Sequence, residues 1–165
     1  LESANEVAWR IGEVVSGGSI EEFAKMMNER AVKLGCLGTH FVNANGLPDE
    51  NHYTTCYDMA LITKACLKHD EFRKITGTRN HVIGPTNICE EERQLWQHCK
   101  MTNPDSKYYY EYCEGGKTGY TNDALNTLVT WSKKGEYERY RAQMNRIYKR
   151  VWGEKQKDGR FEFHI

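Results

Sequence analysis

The 165-residue sequence predicts a mixed α/β fold of the α+β kind, with a helical cluster packed on an antiparallel sheet. Two patterns carry that expectation. Apolar residues recur at helical spacing through the first part of the chain, and short alternating stretches bounded by Gly, Asn and Asp take over toward its end. With 39% hydrophobic and 28% charged residues, the composition suits one packed domain and argues against disorder.

From Glu6 to Val15, the residues Val7, Ala8, Ile11, Val14 and Val15 share one helical face, and Ser16-Gly17-Gly18 ends that helix. Ser19-Ile20-Glu21-Glu22 is a capping box, since the Ser19 oxygen can accept from the Glu22 backbone N–H. The helix it opens should turn Phe23, Met26, Met27, Ala31 and Leu34 inward and stop at Gly35. Thr39 to Asn43 reads as a short strand-like piece, followed by a loop at Asn45-Gly46-Leu47-Pro48-Asp49. Thr55-x-x-Asp58 opens a third helix running to Lys68, with Met59, Ile62, Ala65 and Cys66 on one side; Asp58 is expected to serve that helix end structurally. Asp70 can cap a short helix through Ile75, and His81 to Ile83 is a strand candidate. Residues 84–107 are polar and irregular, with a modest helical signal over Glu90 to Trp96. Tyr108 to Tyr112 has strand composition, a turn is expected at Thr121-Asn122-Asp123, and Asn126 to Ser132 alternates as a strand, with Lys133-Lys134-Gly135 closing a hairpin. Tyr137 to Trp152 reads as a helix with Tyr140, Met144, Ile147, Tyr148 and Val151 on one face.

The charge balance, 23 basic against 23 acidic residues, leaves no electrostatic footprint for nucleic acid or an acidic membrane surface. No stretch approaches the ~20 apolar residues of a membrane span. Six cysteines stand without a C-x-x-C pair and read as scattered, partly buried free thiols. No H-x-x-x-H occurs either, so no metal is expected. A start at Leu1-Glu2-Ser3, with neither initiator Met nor signal peptide, reads as a cut inside a longer protein.

Two triplets bear on chemistry. Ser3-Ala4-Asn5 matches S-x-N just before a helix, and Lys117-Thr118-Gly119 matches K-T-G on a strand; taken alone, Ser3 is a helix cap and Lys117 a solvated lysine. Longer blocks join them: Thr39 to Leu47, His52 to Ala60, Asp70 to Ile75, and Tyr109-Tyr110-Glu111-Tyr112 leading into Gly116-Lys117-Thr118-Gly119-Tyr120-Thr121. In content, order and spacing, residues 1–135 resemble the D-alanyl-D-alanine carboxypeptidases, the low-molecular-mass penicillin-binding proteins.

That resemblance implies the serine β-lactamase/transpeptidase architecture, incomplete here, and no cofactor. It implies a peptidoglycan stem peptide ending in D-Ala-D-Ala as substrate, and β-lactams as ligands of the complete protein. It implies an extracytoplasmic location, with membrane attachment only through an anchor outside this chain. Ser3 would relay a proton between nucleophile and leaving amine with help from Lys117, and Asn5 would donate its amide to a substrate carbonyl. Lys117 and Thr118 would hold the terminal carboxylate, with His98 as a weaker basic candidate; a surface histidine is the plainer reading of His98 alone. Gly119 would let the strand lie close to the extended peptide, and the Tyr120 N–H would form half of the oxyanion hole.

The sequence also departs from the family. Serines at 3, 16, 19, 106 and 132 have Glu6, Ser19, Glu22, Tyr109 and Gly135 three places on, so no S-x-x-K is present, and the nucleophile is expected upstream of Leu1. After Gly135 the family usually returns with an apolar strand, whereas 136–165 reads as an atypical charged helix and tail. Two functions therefore stand side by side: a segment of a serine-type carboxypeptidase, or a non-catalytic relative that binds peptidoglycan peptide or a partner protein. A zinc-binding module is a third.

Overall fold

The computed structural model describes residues 1–132. The expectations at Lys133-Lys134-Gly135 and Tyr137–Trp152 lie outside the described residues. Four helices precede two antiparallel hairpins: α1 (Asn5–Ser16), α2 (Ile20–Lys33), α3 (Cys56–Cys66), α4 (Asp70–Gly77), then β1 (Asn80–Ile83) with β2 (Arg93–Trp96), and β3 (Cys113–Thr121) with β4 (Leu125–Ser132).

The helix signals act as the sequence predicts. Gly17 and Gly35 take left-handed backbone, with φ of 79° and 85°, just past the ends of α1 and α2, a conformation glycine adopts without steric cost. Ser19 Oγ accepts from the Glu22 N–H at 3.2 Å, and Thr55 Oγ1 from the Asp58 N–H at 3.1 Å. Asp70 does not cap α4; His69 holds that position, and Asp70 begins the helix, paired with Arg73 one turn on. Helix α1 packs on α2 through Gly12, where a Cβ would stand 3.0 Å from both Ile20 Cδ1 and Phe23 Cδ1. On α2 the buried residues are Ile20, Ala24 and Ala31, while Met26, expected inward, is exposed.

Three expectations between the helices and the sheets are corrected. Glu90–Trp96 is not helical: Thr86 Oγ1 accepts from the N–H groups of Ile88 and Cys89, the chain reverses there, and Arg93–Trp96 pairs with β1 from Ile83↔Arg93 to Asn80↔Trp96. Tyr108–Tyr112 is not a strand. Local bonds from Tyr109 N–H to Ser106 O (2.9 Å) and Cys113 N–H to Tyr110 O (2.9 Å) fold it into turns and bury Tyr110. The Thr39–Asn43 piece forms one bridge, His40 with Tyr53, because the Phe41 backbone pairs instead with the Asn28 side chain of α2.

Candidate active site

The β3–β4 hairpin presents the K-T-G triplet. It turns through residues 122–124, where the Ala124 N–H donates to Thr121 Oγ1 at 3.0 Å, and it pairs Lys117 with Val129, Thr118 with Leu128, Gly119 with Thr127 and Tyr120 with Asn126. Among the described residues β3 pairs with β4 alone, so its other edge keeps backbone donors and acceptors that no described strand uses. The strand is held from behind by α4 and by a 3₁₀ turn at Lys100–Thr102. Trp131 Nε1 donates to Thr76 Oγ1 (3.1 Å), and Gln97 Nε2 donates to the Thr76 carbonyl (2.9 Å), so one threonine at the end of α4 gathers β4 and the segment after β2. Gly116 fills the remaining gap: a Cβ there would stand 2.7 Å from the Val129 carbonyl and 2.9 Å from Cys99 Sγ.

Lys117 is exposed, and its Nζ donates to the Thr118 carbonyl. Thr118 and Gly119 are half-buried, and Tyr120 is 65% exposed. His98 is exposed and precedes the buried Cys99, whose sulfur lies against Gly116, so its segment runs beside the base of β3. Ser3 and Asn5 lie at the start of α1. Asn5 opens α1, and Ser3 lies two residues before it with φ of 58°, a left-handed conformation uncommon outside glycine. Ser3 is not the cap; Ala4 holds that position with no side-chain bond. The structure thus brings Lys117, Thr118, Gly119 and Tyr120 onto one strand, with His98 in a segment packed beside it. No hydrogen bond or ion pair joins Ser3 or Asn5 to Lys117 among the described residues.

Two other polar centres are held by local hydrogen bonds. The Asp58 carboxylate, buried with the residue only 3% exposed, accepts from Thr39 Oγ1 (2.7 Å) and the Gly38 N–H (2.8 Å), and these bonds outweigh burial and hold its pKa below the ordinary value. Burial pushes the His52 imidazole down, and its Nδ1 accepts from the Val42 N–H at 3.2 Å. A groove of about 750 Å³ between α2 and residues 40–42 contains none of the candidate residues. Among the described residues no three His, Cys, Asp or Glu side chains converge as metal ligands.

Sequence reasoning missed Thr76, Gln97 and Trp131, because hydrogen bonds between residues 21 to 55 positions apart leave no local pattern. The Gly115-Gly116 pair before the triplet was the visible signal of a crowded strand base.

This arrangement has close counterparts. D-alanyl-D-alanine carboxypeptidase DacF of Bacillus subtilis is 37% identical over 135 residues, which is 82% of this chain and 33% of that protein. The crystal structure of a D-alanyl-D-alanine carboxypeptidase from Mycobacterium tuberculosis superposes with a TM-score of 0.67 at 27% identity, covering 81% of this chain and 47% of that one. Penicillin-binding protein D2 of Listeria monocytogenes, solved in a cefotaxime-bound form, gives 0.63 at 26% identity over 81% of this chain and 50% of that one. The chain thus spans about a third of that curated relative and about half of those solved chains, in the penicillin-binding α+β fold. The family model for D-alanyl-D-alanine carboxypeptidases matches residues 1–146, so the strand bearing Lys117-Thr118-Gly119 and the helix that follows Ser3-Ala4-Asn5 fall within one match, and the chain belongs to that family.

Proposed function

We propose that this chain carries the second and third motifs of a serine-type D-Ala-D-Ala carboxypeptidase that trims peptidoglycan stem peptides by acylation and hydrolysis on the outer side of the cytoplasmic membrane. The observation that carries this reading is the K-T-G triplet on β3, whose edge away from β4 no described strand occupies. An extended peptide adds to such an edge through backbone hydrogen bonds. Its terminal carboxylate meets the exposed Lys117 ammonium and the Thr118 hydroxyl, and Gly119 keeps the approach open. The Tyr120 N–H serves as one donor to the oxyanion of the tetrahedral intermediate. Ser3, with Lys117, passes the proton from nucleophile to leaving amine, and Asn5 orients a substrate carbonyl. His98 adds positive charge near the carboxylate when protonated.

The acylation also requires an S-x-x-K serine, a motif that these 165 residues do not contain. In a polypeptide that includes it, Lys117→Ala lowers the rate of acylation by benzylpenicillin by about 100-fold or more, as loss of an electrostatic stabiliser does. Acylation unchanged by Lys117→Ala would sink the assignment.

A second reading is a non-catalytic relative that binds peptidoglycan peptide or a partner protein. Both readings expect no penicillin adduct on the 165-residue chain by intact-mass spectrometry, because no serine here has a lysine three places on, the spacing that activates it in this family. The sequence of the parent gene ahead of Leu1 separates them.

A further inference from the structure

Cys99 and Cys113 lie together at the base of the motif strand. Cys99 is fully buried and Cys113 is 8% exposed. Their thiols hydrogen-bond to each other, a contact that no other pair of cysteines makes among the described residues. Two further distances place each sulfur beside the strand: Cys99 Sγ lies 2.9 Å from where a Cβ on Gly116 would stand, and Cys113 Sγ lies 3.6 Å from the Gly115 carbonyl oxygen. The backbone closes the same loop from inside, since the Tyr110 N–H donates to the Met101 carbonyl at 3.0 Å. Cys113 begins β3, four residues before Lys117, and Cys99 follows His98. A disulfide needs two sulfurs brought close on segments already held in place, and the thiol–thiol hydrogen bond together with the placement of both sulfurs at Gly115 and Gly116 meets that need.

We propose that Cys99 and Cys113 close into an intramolecular disulfide, a covalent modification site that ties the segment carrying His98 to the base of the strand carrying Lys117. The oxidant is a low-molecular-weight disulfide. When the loop opens locally to solvent, one cysteine, as thiolate, attacks a sulfur of the oxidant and expels one small thiolate, giving a mixed disulfide. The second cysteine loses its proton to solvent and attacks the protein sulfur of that bond, expelling the second small thiolate. The two cysteines are oxidised, and the oxidant is reduced to two thiols. The hydrogen bonds Cys99 receives from Cys113 and from the Met101 and Thr102 backbone favour its thiolate, whereas the bond to Cys99 and burial keep Cys113 protonated. The bond forms without substrate or a catalytic serine, so it stands or falls apart from the proposed activity.

The test uses the full chain, equilibrated with oxidised and reduced glutathione, acid-quenched, unfolded, alkylated with iodoacetamide and read by intact mass and peptide mapping. Of the six cysteines, four take up the alkyl group after oxidation and all six after dithiothreitol, and one linked peptide contains Cys99 and Cys113. The oxidised chain melts higher than the reduced chain by on the order of 10 °C. In Cys113→Ala, Cys99 can form only a mixed disulfide with glutathione. Six alkylated cysteines after oxidation, a bridge through the exposed Cys56 or the half-buried Cys89, or an oxidised chain that melts no higher than the reduced one would each overturn the proposal. Mapping on the unsubstituted chain decides the matter even where the variant does not fold.

Discussion

Asp58 shows how one buried carboxylate can organise a loop. The sequence places it at a helix start, and Thr55 does cap its N–H, but its oxygens face residues 38 and 39. The Thr39 hydroxyl contributes most to lowering its pKa below the ordinary 3.8. A group whose folded pKa lies below its unfolded value contributes stability that is complete above the unfolded value and is lost as pH falls through the folded one. Thermal midpoints should therefore show an Asp58 contribution that is constant above about pH 5 and fades below about pH 4. Asp58→Asn keeps one acceptor and loses the charge, so its midpoint should drop by about 5 °C near neutral pH and show no such acid-limb contribution. The peptide binding proposed at β3 should stay unchanged; loss of such binding by a folded Asp58→Asn chain would show the role to be misassigned.

At the scale of elements, the motif strand depends on glycines for packing. A methyl group on Gly116 meets a backbone carbonyl of β4 and the Cys99 sulfur, neither free to move aside, whereas one on Gly119 meets Thr127 Oγ1 at 2.5 Å, a side-chain atom that can rotate away. Gly116→Ala should therefore cost about 1–3 kcal/mol in urea unfolding and Gly119→Ala less, with Gly84→Ala, which has open space around it, as the near-neutral reference. Equal losses at Gly116 and Gly84 would mean that β3 is not seated as described. Strand β2 carries a different lesson. Arg93–Trp96 has four residues, too few for its own periodicity to separate strand from helix, and only the reversal at residues 86–89 supplies the partner that decides it.

For the whole molecule, the telling surface is the apolar face of α1. Val7, Ile11, Val14 and Val15 share one side of the helix as the sequence predicts, yet each is more than half exposed, and α1 touches α2 through Gly12 instead. A contiguous apolar stripe of this kind binds apolar dyes and promotes association. The double variant Ile11→Gln with Val14→Gln should lower anilinonaphthalene sulfonate fluorescence at least about twofold and shift sedimentation toward monomer, with helical circular dichroism retained. Dye binding unchanged by the double variant would place the accessible apolar surface elsewhere. The sequence by itself determined the helix starts at Ser19 and Thr55, the stops at Gly17 and Gly35, the β4 strand and the family, because caps, left-handed glycines, alternation and motif blocks are local signals. Only the tertiary structure decided that Tyr108–Tyr112 turns, that β2 is a strand, that the α1 stripe faces outward, and that Thr76, Gln97, Trp131 and Cys99 together seat the motif strand. Those outcomes depend on partners distant in the chain, and no window of sequence contains both sides of such a contact.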